Sequence, residues 1–142
     1  MLNDWLKELE YELVQGELEI PVKEVVYDSR KAGEETVFVC MKGTNVDSHD
    51  FIPAVLAAGT KALVVEREVS GIPEDVTVLK VENGRNALAL LSAARFGYPA
   101  EKMVTIGVTG TKGKTTTTYM IKSILEACGK KVGLIGTNGA VI

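Results

Sequence analysis

The sequence predicts an α/β protein, because short β-branched runs alternate with segments of helical spacing along most of its 142 residues. A glycine-rich loop between an apolar run and an amphipathic segment is a second sign of this class. The composition, 46% hydrophobic and 25% charged, provides enough apolar side chain for a core. Extensive disorder is therefore not expected.

The first predicted element is an amphipathic helix at the amino terminus that Gly16 would end. Its apolar residues follow helical spacing at Leu2, Trp5, Leu6, Leu9 and Leu13. Two strands, "VKEVVY" and "TVFVCM", come next, because both are rich in β-branched and aromatic residues. The charged segment "DSRKAGEE" is predicted to be the loop that joins them.

A helix and two further strands follow the polar loop "KGTNVDSHD". The helix is indicated by the apolar residues Phe51, Ile52, Val55 and Leu56, and it is expected to stop at Gly59. The runs "KALVVE" and "VTVLKV" are typical of buried strands. The segment "NGRNALALLSAARFG" predicts a longer helix that ends near Gly97.

A domain boundary is predicted at Pro99, which gives domains of residues 1–98 and 99–142. Residues 1–98 hold 10 Lys and Arg against 17 Asp and Glu, whereas residues 99–142 hold 6 Lys against 2 Glu. The basic second part suits a polyphosphate ligand, although a solvated lysine face is the simpler alternative. Its segments "MVTIGV", "TGTKG", "KTTTTYMIKSILEAC" and "KVGLIG" predict one βαβ unit, with Gly129 closing the helix.

The amino terminus lacks the basic start and continuous apolar stretch of a signal peptide, and no run approaches the length of a membrane span. A cytoplasmic location without membrane partners is therefore expected, and nucleic-acid partners are not expected either. Cys40 and Cys128 lack the spacing of a metal site or a disulfide framework. Both are predicted to be buried thiols.

The loop before the last helix predicts phosphate binding. Gly110 and Gly113 give the backbone freedom for N–H groups to converge on an anion, Lys114 can reach phosphates, and the Thr115 hydroxyl suits a Mg²⁺ position. The alternative is a glycine turn before a threonine-rich helix start. The pattern G-x-x-x-x-G-K-[ST] is incomplete, because Val108 stands where it has its first glycine. The predicted phosphate-binding residues are Gly110, Thr111, Lys112, Gly113, Lys114, Thr115 and Thr116.

The stretch "GVTGTKGKTTTT" resembles the ATP loop of the Mur ligases, whose form of the motif is T-G-T-x-G-K-T. The segment from "VVYDSRK" to "ALVVE" is similar to the UDP-binding domain of that family, with its D-S-R motif and D-G-H-D-F segment. Ser48 replaces the glycine of the latter, so the turn there is expected to differ or to avoid positive φ. "TGTKGKTTTTYMIKSIL" with "GKKVGLIGT" is most similar to the branch that adds the third amino acid of the peptidoglycan stem peptide.

The resemblance implies an ATP- and Mg²⁺-dependent ligase that joins a diamino acid to UDP-N-acetylmuramoyl-L-Ala-D-Glu through an acyl phosphate. It implies that the uridine end is bound by Tyr27, Ser29, Thr44, Asn45 and Val46, and that Thr115 contacts the metal. The branch that adds D-Ala-D-Ala is the alternative within the family. His49 is expected to be exposed or lightly bonded, and Asp28 and Arg30 are expected to brace their loop.

The family's other metal and catalytic residues, including a modified lysine, and its amino-acid-binding domain would lie beyond Ile142. The chain is therefore expected to bind ligands without catalysing ligation alone, with no complete catalytic set of its own. The competing hypotheses are a freestanding nucleotide-binding or regulatory module and, less favoured, a small P-loop phosphotransferase or GTPase. Unpaired strand edges after Pro99 are expected to favour self-association.

Overall fold

The computed structural model describes residues 1–142 and divides them into two compact units, Met1–Lys102 and Met103–Ile142. The division falls four residues beyond the boundary predicted at Pro99. The reason is a 3₁₀ turn, Pro99–Lys102, in which the Glu101 N–H donates to the Tyr98 carbonyl oxygen. None of the helices is both long enough and apolar enough to cross a membrane.

Five strands form the sheet of the first unit: β1 (Glu12–Gln15), β2 (Glu24–Val26), β3 (Thr36–Val39), β4 (Ala62–Val65) and β5 (Thr77–Lys80). Their order is β1-β5-β4-β3-β2, with β1 antiparallel to β5 and all other neighbours parallel. In the register, Val26 lies opposite Phe38, and Phe38 lies opposite Leu63. The carboxyl ends of the four parallel strands consequently meet at one edge of the sheet, where α/β proteins commonly bind ligands.

Helices cover both faces of this sheet: α1 (Leu2–Trp5), α2 (Ile52–Ala57) and α3 (Gly84–Arg95). Successive strand residues point to opposite faces, so Val37 joins one core cluster and Phe38 joins the other. The first cluster includes Leu2 and Leu91 beside β3, and the second includes Val55 of α2. The α/β class predicted from the sequence is confirmed.

The predicted helix over the first sixteen residues is wrong beyond its first turn, because α1 ends at Trp5. Leu13 lies instead on β1, opposite Leu79 of β5, and its side chain is 43% exposed. Pairing with β5 supplies this segment with ladder hydrogen bonds, which the helical spacing of its leucines does not reveal. Gly16 follows β1 with φ +85°, and a Cβ there would lie 2.6 Å from the Thr77 Cα.

The second unit contains α4 (Lys114–Ala127) and an antiparallel hairpin of β6 (Leu134–Gly136) and β7 (Gly139–Val141). The predicted βαβ unit is wrong, because residues 103–108 form no strand and Val104 is 91% exposed. No strand of this unit lies beside them to complete a ladder. The end of α4 is confirmed, since Gly129 has φ +74° and donates to the Glu126 carbonyl oxygen.

The two cysteines differ in environment. Cys40 is buried as predicted, and burial raises the pKa of its thiol to about 12. The prediction for Cys128 is wrong, because this residue follows the last turn of α4 and is exposed.

Candidate functional site

The D-S-R segment forms a braced turn directly after β2. Asp28 caps the 3₁₀ turn Ser29–Lys31, and its Oδ1 accepts the Arg30 backbone N–H at 3.1 Å. The Arg30 guanidinium also donates to both carboxylate oxygens, with Nε 2.9 Å from Oδ1 and Nη2 2.6 Å from Oδ2. These hydrogen bonds lower the pKa of Asp28 from 3.8 to about 2. The prediction that Asp28 and Arg30 brace their loop is confirmed.

Next to this brace, Tyr27 is 60% exposed and Ser29 is partly exposed. Neither hydroxyl has a hydrogen-bond partner within the chain, so both can bind a ligand. The same region borders a groove of about 450 Å³ along the outer edge of β2. Its lining residues are Glu24, Val25, Val26, Tyr27, Asp28 and Lys31.

The other predicted uridine residues lie on a tight hairpin turn after β3, residues 43–46. Lys42 and Asp47 form an antiparallel bridge, and the Gly43 N–H donates to the Val46 carbonyl oxygen at 2.9 Å. Thr44, Asn45 and Val46 are exposed on this turn. Since β2 and β3 are adjacent parallel strands, the hairpin turn and the D-S-R turn extend from the same edge of the sheet.

Ser48 supports the hairpin turn through its hydroxyl, which donates to the Met41 carbonyl oxygen at 2.9 Å and accepts the Met41 N–H at 2.6 Å. Ser48 is not among the residues of positive φ. The expectation that a serine here avoids positive φ is confirmed.

His49 differs from its prediction, because the side chain is buried and bonded at both nitrogens. Nδ1 lies 2.5 Å from Oδ1 of Asp47, and Nε2 accepts the Glu66 backbone N–H at 3.0 Å. Glu66 was not among the residues predicted to form the site. Its position directly after the apolar run of β4, at the carboxyl end of a strand, is the signal that could have identified it.

In the second unit, the glycine-rich loop precedes α4 as predicted. Gly113 is the N-cap residue with φ +78°, and no side chain caps the helix. The first-turn N–H groups of α4 are thus free for an anion, in a helix long enough for its dipole to favour negative charge. The Lys114 Nζ donates to the Gly110 carbonyl oxygen at 2.6 Å, so the side chain folds back over the loop.

The loop residues predicted to hold ATP are all exposed: Gly110, Thr111, Lys112, Gly113, Lys114, Thr115 and Thr116. Thr115 keeps its hydroxyl unbonded, while its carbonyl oxygen accepts the Thr118 hydroxyl at 2.8 Å. The chain has no cluster of three or more His, Cys, Asp or Glu side chains placed to hold a metal. The donor set therefore fits a phosphate chain well, and it fits Mg²⁺ only through Thr115 beside phosphate oxygens.

Family models match both parts of the chain. The model described as Mur ligase family, catalytic domain, matches residues 21–96, and the Mur ligase middle domain matches residues 108–141. The UDP-N-acetylmuramoyl-L-alanyl-D-glutamate--2,6-diaminopimelate ligase of Clostridium perfringens is 47% identical over 137 residues, which cover 96% of this chain and 28% of that protein. The ligase of the same name from Clostridium tetani is 44% identical over 138 residues, with the same 96% and 28% coverage.

Solved structures of proteins named MurF are also similar to this chain. MurF from Acinetobacter baumannii aligns with a TM-score of 0.66 and 30% identity, covering 89% of this chain and 27% of that one. The MurF ligase from Thermotoga maritima, in complex with ADP, aligns with a TM-score of 0.54 and 31% identity, covering 75% of this chain and 24% of that one. The chain thus spans about 28% of the length of the curated relatives that it matches.

Proposed function

Because the chain belongs to the Mur ligase family, we propose that it is the amino-terminal portion of a ligase that adds the third residue of the peptidoglycan stem peptide. Its substrate would be UDP-N-acetylmuramoyl-L-Ala-D-Glu, and the residue added would be a diamino acid, diaminopimelate in the named relatives. The predicted cytoplasmic location and a role in cell-wall synthesis, and hence in cell shape and division, are parts of this proposal.

The observation that carries the proposal is the placement of the D-S-R turn and the hairpin turn 43–46 at one edge of the sheet. Uracil and ribose present several hydrogen-bond donors and acceptors. The Ser29 hydroxyl and the Asn45 amide can pair with such groups. The exposed ring of Tyr27 and the exposed methyl groups of Val46 offer apolar contact. Thr44 adds a second hydroxyl at the turn.

For the nucleotide, the free N–H groups at the start of α4 would bind the phosphates of ATP. Lys114 would exchange its Gly110 carbonyl partner for a phosphate oxygen, which forms a stronger, charge-assisted hydrogen bond. The Thr115 hydroxyl would bind Mg²⁺ held by the phosphates. When bound, ATP supplies the phosphoryl group that activates the D-Glu carboxylate for attack by the amine.

We also propose that this chain binds both ligands but does not catalyse ligation by itself. Phosphoryl transfer needs carboxylates around the metal, and Glu126 is the one acidic residue of residues 103–142. Its carboxylate pairs with Lys122 on the next turn of α4 toward the loop. Phosphate release from Mg-ATP and both substrates by this chain would contradict this part of the proposal.

Calorimetric titration tests the substrate half. We expect UDP-N-acetylmuramoyl-L-Ala-D-Glu to bind, and Ser29→Ala to weaken the affinity about tenfold through loss of a hydrogen bond in the site. Ser92→Ala is the matched control, because Ser92 is a similarly half-exposed serine on α3. No binding by the unchanged chain would refute the proposal, and tight ATP binding alone would favour a nucleotide-binding module instead.

Titration with Mg-ATP tests the nucleotide half separately. We expect Lys114→Ala to weaken binding at least about tenfold, because a charge-assisted contact to phosphate is lost. The control is Lys131→Ala, an exposed lysine beyond the end of α4. Equal affinities for the two variants would show that the glycine-rich loop is not the phosphate site.

A further inference from the structure

His49 and Glu66 attach both ends of the hairpin turn 43–46 to the sheet. Lys42 lies just before the turn, and its N–H donates to Oε2 of Glu66 at 3.0 Å. Asp47 lies just after the turn, and its Oδ1 is bound by the His49 ring at 2.5 Å. His49 is in turn tied to β4, because its Nε2 accepts the Glu66 backbone N–H. The backbone N–H and the carboxylate of Glu66, directly after β4, thereby hold both ends of the turn.

We propose that His49 and Glu66 are positioning residues, which fix the turn carrying Thr44, Asn45 and Val46 in the geometry that the uridine end of the substrate requires. This inference rests on the proposed function of that turn. Neither side chain needs to touch the ligand. Their contribution is to remove the freedom that the turn 43–46 would otherwise lose on binding.

The hydrogen bonds at His49 require one form of its ring. Nε2 accepts an N–H, so it carries a lone pair, and the hydrogen must be on Nδ1, where it is donated to Asp47. Asp47 also accepts the His49 backbone N–H at 3.0 Å, and these bonds keep the pKa of Asp47 below its usual value. A buried apolar side chain could fill the same space, but it could not orient Asp47.

Glu66 adds a third attachment point. Its Oε1 accepts the Gly84 N–H at 2.7 Å, at the start of α3, while Oε2 holds Lys42. One carboxylate thus connects the turn after β3 with the helix after β5. The site is tightly packed, because a Cβ on Gly84 would lie 2.5 Å from the Cys40 carbonyl oxygen. The turn is consequently tied to a closely packed part of the sheet.

The first test measures UDP affinity by calorimetry in the full chain. His49→Phe keeps the ring and removes both nitrogens, whereas His49→Gln retains a donor and an acceptor. We expect His49→Phe to weaken UDP binding about tenfold, and His49→Gln to restore much of the loss. The control is Asp75→Asn, which removes a charge paired with Lys61 on the exposed surface. Unchanged affinity in His49→Phe would overturn the inference.

A second set of measurements does not depend on a ligand. The imidazole ¹⁵N shifts of the unchanged chain should show a protonated Nδ1 and an unprotonated Nε2. Amide exchange at Lys42 and Gly43 should accelerate in Glu66→Gln, which weakens the carboxylate acceptor. A ring protonated at Nε2, or unaltered exchange at both amides, would overturn the inference.

The outcomes separate this inference from the proposed function. If the unchanged chain binds UDP and His49→Phe binds it equally well, the positioning role is wrong and the proposed function stands. If the unchanged chain binds neither UDP nor UDP-N-acetylmuramoyl-L-Ala-D-Glu, the proposed function fails and the positioning role fails with it.

Discussion

Asp28 binds Arg30 through both carboxylate oxygens, and Arg30 thereby holds the turn on which Ser29 lies. His49 and Ser48 hold the hairpin turn in the same way, because His49 bonds to Asp47 and Ser48 bonds to the Met41 backbone. In both turns, the aspartate carboxylates, the Ser48 hydroxyl and the His49 ring bond to neighbouring side chains or to the backbone. The exposed neutral groups that remain are those proposed to bind the substrate.

The Asp28 brace predicts a pH dependence. Because the folded-state pKa of Asp28 is lowered from 3.8 to about 2, its contribution to stability is present above pH 3.8 and is lost as the pH falls through about 2. We expect Asp28 to titrate near 2 when its carboxyl carbon is followed by NMR. Arg30→Gln should return the pKa toward 3.8, and Lys31→Gln should change it less, since Arg30 supplies the largest contributions. A value near 3.8 in the unchanged chain would contradict the ion pair.

At the scale of elements, the parallel strands and α3 were predictable because their periodicity coincides with their burial. Val37 and Phe38 pack on opposite faces, and Leu91 shares the buried stripe of α3. The extended opening helix was wrong because the spacing of Leu9 and Leu13 cannot show that β5 supplies a pairing partner. The prediction of a strand at residues 103–108 was wrong because these apolar residues have no partner strand in their unit.

The candidate site was also predictable only in part. The D-S-R motif and the glycine-rich loop are local patterns, and the family resemblance that they carry is confirmed. The burial of His49 was not predictable, because one of its partners, Glu66, lies 17 residues away, directly after β4. A polar stretch around a histidine suggests exposure, and only the tertiary contact reverses that expectation.

Gly84→Ala tests the junction of β3, β4 and α3. The new methyl would lie 2.5 Å from the Cys40 carbonyl oxygen and 3.0 Å from Oε1 of Glu66, so the start of α3 must shift and lose its bond to Glu66. We expect the free energy of unfolding to fall by about 1–3 kcal/mol in urea titrations. The control is Gly71→Ser, at a turn where an added Cβ meets no atom within 4 Å, although its positive φ gives it a small cost. A Gly84→Ala chain as stable as the unchanged chain would contradict this packing.

At the scale of the whole molecule, both core clusters lie within Met1–Lys102. In Met103–Ile142, Leu134 is the one buried hydrophobic residue. The first unit therefore contains what it needs for independent stability. Self-association through the exposed edges of the second unit stays a prediction.

We expect residues 1–102 to fold without the rest of the chain. Their thermal unfolding, followed by far-UV circular dichroism, should be a single cooperative transition, because every strand of the sheet and both core clusters are retained. Leu91→Ala in the same fragment should lower its stability by about 2–5 kcal/mol, as expected for a fully buried leucine. A fragment without a cooperative transition would show that the second unit is needed for folding.

We propose above all that the carboxyl edge of the parallel strands in the first unit binds the uridine end of a UDP-N-acetylmuramoyl peptide. Hydrogen–deuterium exchange of the full chain, with and without UDP-N-acetylmuramoyl-L-Ala-D-Glu, tests it most directly. Added protection is expected at residues 27–29 and 43–47, and none is expected at the opposite edge around residues 59–61 and 73–76. Protection confined to the glycine-rich loop 110–116, or absent everywhere at saturating ligand, would contradict it.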